Sequence, residues 1–413
     1  MSIQSWVAIA VTLVTVWALI KRYETRLVLL AAGLFLCCIS LDPMYGLDAM
    51  GKSMTNKSLI MAICGSMGFA FVASYTQCDR SLVHYLASPI RGLGIFLLPV
   101  CTTITFFINI AIPSAAGCAA AVGSTLIPVM LRAGIKPAAA AAAVLGGTIG
   151  SYLSPGTSHN VFVANMAKMS EMDFIAYHST FSLMCGAILI VGIALVAFIL
   201  GDHKGDKNAQ VDESKLQKMD FVPSPLKAIV VLGNTCLPAI KMGVAQAMLI
   251  GAIAALVIAR ANPQQLTKEF FSGMGKGYAD VMGIIIAAGV FAAGLRATGL
   301  IDAAVAALKD SNEFARWGGS LGPWIMGVIT GSGDAATQAF NEAVTPHAES
   351  FGMTIPGLGG LAFLTGALGR TMSPLAGVTI LVSGIAMVSP IEVIKRTAVP
   401  CIVAVVACAL LMV

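Results

Sequence analysis

Apolar residues run along this chain in blocks of roughly 15–20, the length a bilayer core demands of a helix, with short polar stretches between them. The blocks cover residues 5–20, 27–40, 58–75, 92–112, 136–168 and 179–200, then 226–240, 244–261, 280–296, 318–331, 355–388 and 397–413. No basic region precedes block 5–20 and no small-residue cleavage site follows it, so it reads as a retained helix and not a signal peptide. A polar stretch, 202–225, reads as a cytoplasmic linker between two halves. Amphipathic stretches at 76–91 and 298–317 read either as interfacial arm helices or as ordinary surface helices. The blocks beginning at 92 and 318 run into small and polar residues, Pro113-Ser114-Ala115-Ala116-Gly117 and Gly331-Ser332-Gly333-Asp334-Ala335. A second, weakly apolar helix follows each. That pattern predicts re-entrant hairpins over about 92–131 and 318–350, with irregular tips enclosed by protein.

The chain is written twice. At a constant offset of 219, residues 137–175 match 356–394 at eleven of 39 positions, around a shared core G-x-x-G-x-x-x-S-P. That core spans Gly147, Gly150, Ser154 and Pro155 in one half and Gly366, Gly369, Ser373 and Pro374 in the other. Met50-Gly51-Lys52 and Met274-Gly275-Lys276 match at offset 224. If the hairpins do not cross, each half has five crossings and the halves are antiparallel. With the N-terminus outside, 17 of the 25 Lys and Arg then fall inside and seven outside, as the positive-inside rule asks. The prediction is an all-α polytopic membrane protein of two inverted repeats. Residues 1–201 form the first, with a broken helix over 136–168, and 226–413 the second, with one over 355–388.

Composition agrees: the 413 residues are 57% hydrophobic and 11% charged, with mean hydropathy +0.87. The net charge of +5 is dispersed and does not suggest nucleic-acid binding. The ten cysteines show no metal spacing and mostly sit in apolar runs, as small hydrophobes do. No H-E-x-x-H, Walker A, G-x-S-x-G or Cys/His cluster is present, so neither an enzyme nor a nucleotide-driven pump is expected, and no cofactor.

The candidate chemistry lies in the tips and breaks. Proline inside a membrane helix frees a carbonyl and interrupts the ladder. Half-helix N-termini then offer N–H groups to an anion, and freed carbonyls and hydroxyls can hold Na⁺. A lone Ser-Pro is more simply a kink; two at matched repeat positions, each behind a hairpin, point to a transporter site. In the first half the candidates are Ser114, Ala115, Ala116, Gly117, Thr157, Ser158, His159 and Asn160, with Ser154 for a cation or proton. In the second they are Ser332, Gly333, Arg370, Thr371, Ser373 and Gly377, with Asp334 and Asn341 for a cation or proton. Arg370 inside an apolar block is either an anchor for a substrate carboxylate or half of an internal salt bridge. Asp334 either binds a cation, takes a proton or caps the returning helix. His159 is either a proton carrier or a hydrogen-bonded polar residue. The coupling ion is expected to be H⁺ or Na⁺, with Na⁺ at the hairpin tips.

Several segments resemble the DcuC-type anaerobic four-carbon-dicarboxylate carriers of the ion-transporter superfamily. They are ITGSGDAATQAFNEAVTPHAESFGM, LGRTMSPLAGV and SPIEVIKRTAVP, with SAAGCAAAVGSTLIPVMLRAGI and KMSEMDFIAYHST in the first half. The resemblance runs from about residue 45 to 405. It implies an inverted-repeat homodimer in the inner membrane whose transport domain moves elevator-fashion. It also implies succinate- or fumarate-like substrates with exchange or cation coupling. The alternative on the same fold is a cation/proton antiporter or a carrier of another small organic anion. The chain departs from the family pattern in two places. The second tip reads G-S-G-D instead of G-S-G-N, and the first break reads S-P-G-T-S-H-N instead of A-P-T-S-G-D.

Overall fold

A computed structural model describes residues 3–21, 23–87, 96–203, 223–236, 242–301, 303 and 312–412. The described residues are helical with irregular connections and contain no strand. The first half carries α1 (Ile3–Ile20), α2 (Thr25–Ile39), α3 (Pro43–Met54), α4 (Lys57–Tyr75) and α5 (Cys78–Ala87). Then come α6 (Leu97–Ala111), α7 (Ala115–Arg132), α8 (Pro137–Gly147), α9 (Ser158–Met166) and α10 (Glu171–Ile199). The second half carries α11 (Pro225–Cys236), α12 (Val244–Ala259), α13 (Pro263–Lys276), α14 (Gly283–Ala297) and α15 (Asn312–Thr330). It closes with α16 (Gly333–Ala343), α17 (Ile355–Thr371), α18 (Gly377–Ala386) and α19 (Pro390–Leu411).

Among the described residues four helical stretches are long and apolar enough to cross a membrane: Ala115–Arg132, Glu171–Ile199, Pro263–Ala297 and Pro390–Leu411. Two bent pairs, residues 43–75 and 345–371, raise this to six. The apolar blocks omit α3 and α13, whose polar faces break any hydropathy window. Both start on a proline behind an Asx cap: Asp42 accepts from the Tyr45 amide, and Asn262 from those of Gln264 and Gln265. These two helices carry the Met-Gly-Lys match, so the repeat continues through them. The first copy breaks at Thr55–Asn56; the second runs through a π-helical stretch, Gly277–Met282, at the same register. α3 packs on α14 and α4 on α13. The expected arm helix at 298–317 extends over residues outside the described set, and Asn312 already begins α15. Asp202, at the start of the polar stretch read as linker, belongs instead to the packed fold, with its side chain 1% exposed.

The identities shared by the repeats have steric and capping reasons. Pro137 and Pro356 occupy the first turns of α8 and α17. Ser170 and Ser389 precede α10 and α19 as N-cap residues. Gly147, Gly150 and Gly369 lie where the first helix of each pair crosses, and Gly366 meets Thr337 of α16. A Cβ on Gly150 would strike the carbonyl oxygen of Phe106 in α6, and one on Gly369 that of Trp324 in α15. Only glycine admits the backbone that closely. α8 is buried from Ala138 to Gly147, and α17 is buried almost throughout. Both are rich in alanine and glycine, which lets neighbours approach as membrane helix packing requires.

Two polar contacts orient these central helices. Lys136, at the start of α8, pairs with Asp202 just past the end of α10 (3.7 Å), and its backbone N–H donates to the Asp202 carbonyl (2.8 Å). Thr354, at the start of α17, bonds instead to Tyr177 near the start of α10 (3.2 Å). α8 and α17 therefore begin at opposite ends of α10.

Candidate functional site

Each broken helix is finished by side chains that take up its freed carbonyls. In the first break α8 ends at Gly147, a 3-10 turn spans Gly150–Leu153, and α9 resumes at Ser158 beyond Pro155. Thr157 donates to the Ser151 carbonyl (2.5 Å). Asn160 donates to the carbonyls of Tyr152 (2.7 Å) and Ser154 (2.9 Å). The Asn160 side-chain oxygen meets His178 Nε2 (3.2 Å), and His178 Nδ1 meets the Ser182 hydroxyl (2.8 Å). With Ser182 donating to Nδ1, Nε2–H donates to Asn160, and every member of the chain is satisfied. The second break needs fewer parts. Thr397, at the repeat position of His178, donates directly to the Thr371 carbonyl (3.1 Å). Ser373 accepts from the Leu375 amide (3.2 Å), and the Thr371 hydroxyl bonds back to Ala367 (2.9 Å).

The turn of each helical pair, α6–α7 and α15–α16, rests against the helix break that follows it in the chain. Ala111, Ile112 and Pro113 line a small cavity together with Ser154 and Pro155. Ser114 caps α7 by accepting from the Gly117 amide (3.1 Å), and Ser114, Ala116 and Gly117 are exposed, with Ala115 half-buried. In the second tip Gly331 adopts φ +72, in the left-handed region, and a Cβ there would lie 2.7 Å from the Ala376 amide nitrogen. Gly333 abuts the Gly366 carbonyl, and the Ser332 amide donates to Thr330 (3.1 Å). Beyond the tips the halves cross: α7 packs along α18 of the second half, and α16 reaches α9 of the first.

That crossing assembles a charged cluster from three of the predicted residues. His159 Nε2 lies 2.9 Å from Asp334 Oδ1, while Gln338 Nε2 lies 3.3 Å from His159 Nδ1. Donation from Gln338 leaves the imidazole N–H on Nε2, aimed at the Asp334 carboxylate. The ring stacks on Phe363, centroids 4.7 Å apart. His159 is 5% exposed and Asp334 64%, so the carboxylate faces open space from a buried anchor. Asp334 sits in the first turn of α16, but the N-cap position is Ser332; its carboxylate is engaged by His159 and not by capping. Arg370 is close enough for its charge to act on Asp334. Its Nη2 reaches the carbonyl and hydroxyl of Thr148 at 3.4 and 3.5 Å, and its buried Nε has no partner among the described residues.

The remaining candidates divide. Ser158 is half-buried at the start of α9, and Gly377 opens α18 with nothing within 4 Å of where a Cβ would stand. Thr157, Asn160, Thr371 and Ser373 are taken up by the chain's own backbone. Asn341 accepts from Thr345 (2.8 Å) at the far end of α16. Gln338, Thr148 and His178 were missed by sequence reasoning. A histidine inside an apolar helix was the available signal for the last. Among the described residues no group of three His, Cys, Asp or Glu side chains could hold a metal ion.

Buried broken helices, two helical pairs with glycine-bearing tips and a charged cluster shared between halves define a multi-pass membrane transport protein. Its fold matches the crystal structure of the YdaH transporter of Alcanivorax borkumensis, with a TM-score of 0.62 over 97% of each chain at 15% identity. The family model described as C4-dicarboxylate anaerobic carrier, DcuC, matches residues 47–413, and the chain belongs to that family of carriers. An uncharacterized transporter of Haemophilus influenzae is 46% identical over 277 residues, covering 63% of this chain and 99% of that protein. The anaerobic C4-dicarboxylate transporter DcuC of Escherichia coli K12 is 27% identical over 372 residues, covering 84% of this chain and 77% of that protein. The expectation of a transporter and not an enzyme holds.

Proposed function

We propose that the protein is a secondary carrier of succinate- or fumarate-like dicarboxylates across the bacterial inner membrane, held at Arg370. The observation that carries this is the buried Arg370 Nε, which has no partner among the described residues, beside an Nη2 whose contacts to Thr148 are long. A guanidinium fork in that state suits a carboxylate, which accepts two parallel N–H bonds. The α9 and α18 N-termini, at Ser158 and Gly377, add N–H groups for the substrate. Asp334 would repel a second carboxylate. A proton taken by the His159–Asp334 pair, or a Na⁺ at the tip, removes that repulsion, which is a physical reason for cation coupling. The opposite starts of α8 and α17 support inverted repeats with re-entrant hairpins, and the family resemblance implies a homodimer whose transport domain moves elevator-fashion.

Labelled succinate uptake into proteoliposomes is the test. Arg370→Ala should weaken transport about 10–100-fold, the worth of one or two hydrogen bonds to a charged group. Arg370→Lys should restore only part, because it keeps the charge and loses the fork. Normal uptake by Arg370→Ala removes the anchor. If dicarboxylates leave the melting temperature of the purified protein unmoved while Na⁺ or pH shifts it, the cation antiporter reading takes over.

A further inference from the structure

We propose a second ion site, specific for a monovalent cation of sodium's size, between the first hairpin tip and the helices α4, α5 and α11. A cavity of about 30 Å³, room for one water-sized body, lies there. Its polar lining is Ser66 of α4, Asp79 of α5, Asn234 of α11 and Ser154 of the first break, and Ile112 and Pro113 of the tip close it. Ser66 is 6% exposed and Asn234 3%, yet Ser66 Oγ and Asn234 Oδ1 have no hydrogen-bond partner among the described residues. A buried polar atom left unsatisfied costs about 1–3 kcal/mol, so two around one void point to a missing ligand. Ser66 Oγ faces the break directly: a Cβ on Gly156 would come within 2.9 Å of it.

The donor set decides the chemistry. Carboxylate, amide oxygen and hydroxyl are hard oxygen ligands, suited to a hard cation and not to zinc or copper. Asp79 is the one carboxylate of the lining and already feels the Arg80 charge, so a monovalent ion is the largest charge that an apolar wall including Phe69 and Met248 would take. Asp79 Oδ1 already accepts from the Arg80 amide (2.7 Å), which holds the carboxylate at the mouth of α5. Burial pushes the Asp79 carboxyl up to about 6, a strain on its charged form that a cation would relieve. A bound ion would hold the first tip and break against α4, α5 and α11, and its release would free them. The lining shares no residue with the His159–Asp334–Arg370 cluster, and the site does not depend on which anion is carried.

The experiment uses the full-length protein in detergent, without any dicarboxylate, with NaCl exchanged for choline chloride at constant ionic strength. The melting temperature should rise saturably with Na⁺. Asp79→Asn should abolish the rise, and Ser66→Ala, which removes one oxygen without adding bulk, should weaken the apparent affinity several-fold. Asp334→Asn should retain the rise, which separates this cavity from the second tip. Size-exclusion profiles matching wild type establish that the variants are folded; should Asp79→Asn fail this, Ser66→Ala and Asn234→Ala decide. A melting temperature indifferent to Na⁺ means the void holds only water and overturns the proposal. So does a Na⁺ response that survives in the cavity variants or is lost in Asp334→Asn.

Discussion

Asn160 shows how one side chain can hold an irregular segment inside a membrane protein. It gives both amide hydrogens to the carbonyls of Tyr152 and Ser154 and takes one from His178. Replacing it with alanine strands at least one buried acceptor, at about 1–3 kcal/mol. Asn160→Ala should accordingly lower the thermal midpoint in detergent, and Asn160→Asp should do so too, since a carboxylate cannot donate to a carbonyl. An unchanged midpoint for both would show that the break is held by packing alone. The residue scale is also where sequence reading stopped short. Asp334 and His159 were each visible as polar residues in apolar surroundings. Nothing in a chain position says that two side chains 175 residues apart will lie 2.9 Å from each other. The two departures from the family pattern, the tip aspartate and the break histidine, turn out to be neighbours.

Among the elements, the ends of α8, α10 and α19 are joined by ions in a way hydropathy could not foresee. Arg396 makes two bonds of 3.0 Å to Asp202, with the two side chains 8% and 1% exposed, and adds Glu392 at 2.8 Å. Lys136 completes the group. Losing one partner of a buried pair leaves a charge uncompensated, at about 3–5 kcal/mol. Asp202→Ala and Arg396→Ala should each depress the melting temperature strongly. The double substitution should cost clearly less than their sum, a coupling that a double-mutant cycle reads directly. Additive losses would mean the pair is merely adjacent. The blocks located most of the long apolar helices because burial in lipid and burial in protein both require apolar side chains. They missed α3 and α13, which are short and polar on one face, although the Met-Gly-Lys repeat ran through both.

At the scale of the whole molecule, α8 and α17 begin at opposite ends of α10. Residues beside those starts should then lie on opposite sides of the membrane. Cys38 is exposed, so labelling starts from a Cys38→Ser background. Arg132 and Glu349 are both exposed. Arg132→Cys should react with an impermeant maleimide in inside-out vesicles and Glu349→Cys in right-side-out cells. Reaction of both from the same side would rule out antiparallel halves.

The sequence by itself determined the membrane character, the two matched segments around Ser-Pro, and the places where helices must stop. Those follow from local physics: apolar length, proline geometry and the absence of a Cβ at Gly150 and Gly369. Only the tertiary structure decided which polar groups are spent and which remain. Thr157, Asn160 and Ser373 looked equivalent to His159 and Arg370 as candidates. Folding turned the first three onto their own backbone, Thr157 and Asn160 donating to freed carbonyls and Ser373 accepting from an amide, and left Arg370 Nε without a partner among the described residues. The charged cluster exists because the two halves cross, and crossing is a property of packing between copies that neither copy carries alone.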